Sequence, residues 1–148
     1  LEPLNIPSKR YTGFTPNRKN SEDECERVQH AIESGEPIDL CILGLSRNGH
    51  IGFNEPADKL QPFCHVAQLS EESKKHGMVE NMEQKPEYGM TLGMQNILSA
   101  KRILLLVYGT GKDDAIAMLQ RKMITPRFPV TFLWLHPHVD CLMVGNIT

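Results

Sequence analysis

The segment GLSRNGHIGFNEP, Gly44 to Pro56, gathers His50, Asn54 and Glu55 among three glycines, with Asn48 two positions before the histidine. An imidazole, with an unperturbed pKa of about 6.5, is the side chain suited to exchanging protons near neutral pH. A carboxylate held against one ring nitrogen orients the ring, fixes its tautomer and stabilises the imidazolium. Glu55, five residues on, can fold back to do this, with Asn48 as an amide partner. Gly49 and Gly52 let the backbone pack closely around the histidine. A solitary histidine in such a turn reads as structural. With Asn48, Asn54 and Glu55 beside it, the reading is acid–base chemistry carried by His50, Glu55 and Asn48.

A second motif, YGTGK from Tyr108 to Lys112, frees the backbone at Gly109 and Gly111 and then places an ammonium where a helix should begin. Helix N–H groups and Lys112 would attract a phosphate or another anion there. The GxxxxGK[ST] spacing of a P-loop is absent and Asp113 follows the lysine, so taken alone the motif also fits an ordinary strand–helix turn. Gly49 and Asn54 join Lys112 as candidate substrate contacts. In a third stretch, WLHPHVDC, His136 and His138 flank a proline, but the sequence places no third ligand and no metal site is expected. That stretch reads as a strand-end turn in which His136 closes the wall of the cleft.

These motifs need elements to position them. Asn20 and Ser21 followed by acidic residues predict a helix start. Cys25, Val28, Ala31 and Ile32 continue at helical spacing to Ser34-Gly35, ahead of Pro37. IDLCILGL is a continuous apolar run, as in a strand covered on both faces. HVAQL predicts a weaker strand, and SEESKKHGMVEN a short polar helix with a Ser70 cap and a solvated charged face. MTLGMQNILSA predicts a small helix using Met94, Ile97 and Leu98. RILLLVYG predicts a second buried strand, and KDDAIAMLQRKM a helix turning Ala115, Met118 and Leu119 inward. VTFLWL and CLMVG predict two closing strands. Strands alternating with helices imply βαβ units, hence an α/β, Rossmann-like three-layer sandwich with a mostly parallel sheet. Ligands of such sheets bind at the carboxyl ends of the strands. GLSRNGH and GTGK each follow a buried strand and should converge on one sheet edge.

Composition sets the limits. The 148 residues are enough for one α/β domain with a real core, taken as residues 1–148, and 40% hydrophobic with 23% charged content is ordinary for a globular chain. A formal net charge of -2 gives no argument for nucleic acid or an anionic membrane as partner. The longest apolar stretch falls far short of the roughly 20 residues of a spanning helix. The opening LEPLNIPSKRYTG lacks a charged-then-apolar secretory pattern. Four cysteines, at 25, 41, 64 and 141, form no CxxC and read as reduced, mostly buried thiols of a cytoplasmic protein.

From about Asp23 to His138 these stretches, in unbroken order, resemble the glucosamine-6-phosphate deaminase/isomerase family, and within it the galactosamine-6-phosphate branch. IDLCILGL leading into RNGHIGFNEP, then LQPFCHVAQLS, MTLGMQNILSAKRILLLVYGTGKDDAI and FLWLHPH carry the resemblance. NGHIGFNEP is its most specific part, because the related phosphogluconolactonases differ after the GH pair. The resemblance implies that a 2-amino-2-deoxy-hexose 6-phosphate, either galactosamine or glucosamine 6-phosphate, becomes a ketose 6-phosphate plus ammonia, without metal or organic cofactor. By the same resemblance His50 is the ring-opening acid/base, Glu55 its carboxylate partner, and Lys112 a contact of the substrate phosphate. Asn48 stands where many relatives have aspartate and others asparagine. The alternatives are a sugar-phosphate sensor without turnover and a 6-phosphogluconolactonase-like hydrolase.

Three departures from the family pattern stand out. Ser46 replaces a usual glycine. The helix after HVAQL lacks the family's phosphate arginine, for which Lys74 or Lys75 are the nearby candidates. The N-terminal portion that brings a phosphate loop and the enolisation base has no counterpart, so the chain reads as the C-terminal part of the enzyme. Exposed apolar sheet surface is then expected, with a homo-oligomer or association with the absent portion to cover it.

Overall fold

The computed structural model describes residues 5–15, 20–75 and 85–144. Helix α1, Ser21–Glu33, begins where the capping chemistry places it: the Asn20 side chain accepts from the Glu22 N–H at 3.1 Å. Its buried face is Glu24, Cys25 and Val28. Glu24 does more than favour the helix dipole. It is fully buried, accepts from Thr15 N at 2.7 Å and from Arg27 Nε at 2.9 Å, and so ties the preceding segment to the helix. The Arg27 guanidinium holds its carboxyl down at about 2, against the opposing effect of burial.

Strands β1, Leu40–Gly44, β4, Arg102–Tyr108, and β5, Val139–Val144, form a parallel sheet in the order β1-β4-β5. A hairpin of β2, His65–Gln68, and β3, Tyr88–Thr91, pairs antiparallel beside it and packs against α1. Two further helices, α2 at Met94–Leu98 and α3 at Asp113–Gln120, flank β4 in sequence. An α/β chain with a parallel sheet is what the alternation of elements predicts.

Residues paired across a parallel ladder share a face, because side chains alternate along each strand. Cys41 opposite Ile103 and Leu43 opposite Leu105 therefore point to one side, where they meet Met94, Ile97, Ala100, Ala115, Val130 and Leu133. The other side carries Ile42, Leu106, Leu142 and Val144, and Ile42 is 59% exposed. The expectation that β1 is covered on both faces thus does not hold among the described residues, where helices cover one face of this sheet. The continuous apolar run also has an outward half, which stands bare as expected of exposed apolar sheet surface.

Other departures have local causes. VTFLWL is not a strand; Pro129–Leu135 forms a 3-10 turn. Pro129 cannot donate to a ladder, and Thr131 Oγ1 supplies the loop's own partners, bonding Phe128 O at 2.7 Å and accepting from Thr125 N at 2.9 Å. β5 takes the place beside β4 instead. β3, unread in the sequence, is four residues long with a glycine inside it. The polar helix after β2 is a 3-10 turn, Ser73–Lys75, capped by Ser70 as expected, since Ser73 N donates to Ser70 Oγ at 3.2 Å; residues 76–81 of that prediction lie outside the described residues. All four cysteines are free, but Cys141 is exposed rather than buried. Among the described residues no helix is long and apolar enough to cross a membrane.

Ile103 is fully buried at the centre of the sheet. Ile103→Ala should cost about 2–5 kcal/mol, read as a lower urea midpoint at unchanged slope. A loss below about 1 kcal/mol would mean the core is not centred there.

Candidate active site

The parallel register pairs Gly44 with Leu106, so β1 and β4 end together and their following loops leave the same edge. Leu45 N donates to Leu106 O at 3.0 Å and extends that pairing into the loop. A cavity of about 480 Å³ opens there, lined by Ser46, Arg47, His50, Glu72, Ser73 and Lys112 among others. That size suits a small polar metabolite. The two motifs converge on one edge, as the strand order predicts. A second, mainly apolar cavity of about 430 Å³ adjoins it, and His50 and Ser73 stand in the walls of both.

Within the loop, Asn48 sets the turn. Its Oδ1 accepts from Ser46 Oγ at 2.7 Å and from His50 N at 3.1 Å, while its Nδ2 donates to Glu55 Oε2 at 3.0 Å. The short amide closes the loop on both sides, which an apolar residue could not do. Glu55 folds back as its spacing allows, and its Oε2 lies 3.3 Å from His50 Nδ1. Both side chains are 13% exposed.

Ser73 is a member of this cluster that the sequence did not reveal. Its Oγ sits 3.2 Å from His50 Nδ1 and donates a very short hydrogen bond to Glu55 Oε1, and Ser70 N donates to the same oxygen at 3.3 Å. The stretch SEESKK reads as a charged solvated face, yet Ser73 is its buried position. The signal available was the small hydroxyl spaced three residues from the Ser70 cap.

Burial alone would raise the Glu55 carboxyl. Hydrogen bonds from His50, Ser73 and Asn48, with the charge of the imidazolium, outweigh that and bring it from 4.5 down to about 2. An ionised carboxylate only accepts, and Ser73 spends its proton on Glu55, so His50 carries its ring hydrogen on Nδ1. Nε2 makes no hydrogen bond among the described residues and is the nitrogen left for a bound molecule.

The remaining sequence candidates divide. Lys112 lines the same cavity; burial first and the nearby Arg47 second lower its ammonium's proton affinity. Gly49 and Asn54, expected as substrate contacts, are placed as supports. Gly49 has φ +82°, and a Cβ there would lie 2.7 Å from the Phe128 ring, while its carbonyl accepts from Val130 N at 3.0 Å. Asn54 is 2% exposed and donates to Ile51 O and Leu92 O at 3.0 and 2.9 Å, joining the loop to the end of the hairpin. His136 does not close the cleft. It sits at the opposite, amino end of the sheet, with Nε2 2.7 Å from Ala100 O and with His138 O accepting from Ile103 N. Lys74, a candidate for the absent arginine, is held by Glu71 at 3.0 Å and Glu87 at 2.9 Å.

Comparison with known proteins shows the family. The sequence model described as glucosamine-6-phosphate isomerases/6-phosphogluconolactonase matches residues 1–142. This chain belongs to the glucosamine-6-phosphate isomerase/6-phosphogluconolactonase family. AgaI of Escherichia coli strain K12 is 40% identical over 143 residues, covering 97% of this chain and 57% of that protein. Glucosamine-6-phosphate deaminase 1 of Bacillus subtilis strain 168 is 38% identical over 143 residues, with 93% and 59% covered. A solved monomeric glucosamine-6-phosphate deaminase of the NagB superfamily superposes with a TM-score of 0.86 at 35% identity, covering 93% of this chain and 58% of that one. The chain therefore spans somewhat over half the length of these relatives of the isomerase/lactonase family.

The depressed Glu55 carboxyl has a pH signature. The folded state favours the ionised form, so its contribution is complete above about pH 4.5 and is lost as pH falls towards about 2. Between those limits the urea midpoint of the wild type should fall more steeply than that of Glu55→Gln, by a difference worth about 2–3 kcal/mol. Parallel slopes would remove the carboxylate from the cluster described.

Proposed function

We propose that this chain forms the ring-opening part of an amino-sugar-phosphate deaminase/isomerase. The observation that carries the reading is the His50 ring, held through Nδ1 by Glu55 and Ser73, beside a cavity that Lys112 also lines. In the cyclic sugar, His50 Nε2 takes the proton of the anomeric hydroxyl and returns it to the ring oxygen as the C1–O5 bond breaks. The ring becomes an open aldehyde, and the histidine ends as it began. Glu55 stabilises the transient imidazolium and keeps the other nitrogen protonated throughout.

Later steps call on a second base. A proton moves from C2 to C1, the 2-amino enol becomes an imine, and water adds at C2 as ammonia leaves. By family resemblance that base comes from the N-terminal portion, so the roles proposed for this chain end at ring opening and at holding the phosphate. The substrate is galactosamine 6-phosphate or glucosamine 6-phosphate. The bare sheet face supports a further reading: the intact protein covers it with more of its own chain or with a second copy. A cytoplasmic location, in keeping with four free thiols, belongs to the same proposal.

In the intact protein, His50→Ala should lower kcat for ammonia release by about 10²–10⁴ with little change in KM. Full activity in that variant overturns the role of His50. Hydrolysis of 6-phosphogluconolactone without ammonia release from either amino sugar would assign the chain to the lactonase side of the family. Binding of the amino-sugar phosphate with no turnover would make the protein a sensor.

A further inference from the structure

Arg47 lies three residues before His50 and lines the same cavity as Lys112, though the two cations come from loops after different strands. The bare backbone at Gly111, φ +75°, lets the guanidinium lie against the second loop; Arg47 Nε is 3.3 Å from where a Gly111 Cβ would stand. A side chain at that position would push the arginine away from Lys112. Lys112 has no carboxylate partner among the described residues. Arg47 has one, Glu72 at 3.6 Å, and both members of that pair are well exposed, at 62% and 37%. Pairs of this kind are weak and exchange readily with solvent or ligand.

We propose that Arg47 and Lys112 together grip the phosphate of the substrate, and that the phosphate displaces Glu72 from Arg47 as it enters. This rests on the proposed function in one respect, that the ligand is a phosphate monoester. The charge count supports it. Two cations face one carboxylate across the cavity, so an arriving dianion balances both once Glu72 swings aside. A guanidinium offers two parallel N–H donors to phosphate oxygens, and Lys112 adds a point charge from the other side. The geometry also answers which group stands in for the absent family arginine: Lys74 is engaged by Glu71 and Glu87, whereas Arg47 is loosely held and already at the site. Asp113 and Asp114, the acidic residues nearest Lys112 in sequence, do not line the cavity.

The test uses the intact protein and inorganic phosphate as the probe, with affinity measured by calorimetry for the wild type, Arg47→Gln and Glu72→Gln. Arg47→Gln should weaken phosphate binding about ten- to hundredfold, the loss expected for hydrogen bonds to a charged group. Glu72→Gln, which frees the guanidinium, should tighten it about two- to fivefold. Unchanged affinity in Arg47→Gln, or weaker binding in Glu72→Gln, overturns the proposal. Kinetics separate it from the functional reading. With an amino-sugar 6-phosphate, Arg47→Gln should raise KM about ten- to hundredfold and leave kcat within about twofold. Ammonia release with the wild-type KM in that variant sinks the phosphate grip and leaves the deaminase standing. Arg47-dependent phosphate binding without any ammonia release does the reverse.

Discussion

Four donors converge on the carboxylate of Glu55: the Nδ1–H of His50, the amide of Asn48, the hydroxyl of Ser73 and the backbone N–H of Ser70. They come from two loops, one after β1 and one after β2, and the carboxylate is what joins those loops. Its ionised state follows from the donors. A carboxylate that receives this many hydrogen bonds in a half-closed site is held charged despite desolvation. From that single condition come the tautomer of His50, the freedom of Nε2 and the position of the 3-10 turn that carries Ser73. Asn48 matters because it both donates and accepts. An aspartate could still accept from Ser46 and His50 N, but it would face Glu55 as a second negative charge.

The sheet supplies the second constraint. With β1 and β4 parallel and in register at Gly44 and Leu106, whatever follows the two strands must share an edge. The histidine loop and the lysine loop are 62 positions apart in sequence between His50 and Lys112, and ladder pairing makes them neighbours. Antiparallel strands would have sent them to opposite ends. The same logic places His136 and His138 out of reach, because they precede β5 and so lie at the amino edge with Ala100 and Ile103.

What could be read from the residues was set by how local the cause was. Asn20 as a cap, the apolar runs of β1 and β4, and the return of Glu55 towards His50 depend on neighbours a few positions away. Ser73 was hidden because its burial depends on a loop 23 residues earlier, and its spacing from the Ser70 cap is only a faint local signal in SEESKK. Asn54 and Gly49 carry polarity and freedom that suit a ligand equally well; only the carbonyls of Ile51 and Leu92 and the ring of Phe128 reveal that they serve the backbone. VTFLWL has the composition of a strand, but Pro129 and the Thr131 hydroxyl satisfy the chain locally before any ladder can. The outward half of the β1 run shows the limit of pattern alone, since apolar residues state a preference for cover without naming what provides it.

Two different arrangements of charge meet at the cavity. One is the Glu55 carboxylate, which holds the His50 ring through Nδ1 in a geometry fixed by several donors and so suits a group that must lend and recover a proton without moving. The other is Arg47 and Lys112 facing a single, exposed carboxylate, a loose arrangement that leaves positive potential directed at whatever enters. Under the proposed function, the ligand's phosphate dianion answers the two cations while its sugar hydroxyls face the histidine. The reverse orientation would bring the dianion towards the Glu55 carboxylate, a like charge, and leave the cations unanswered. Under the proposed function, charge alone favours the orientation that turns the anomeric end towards His50.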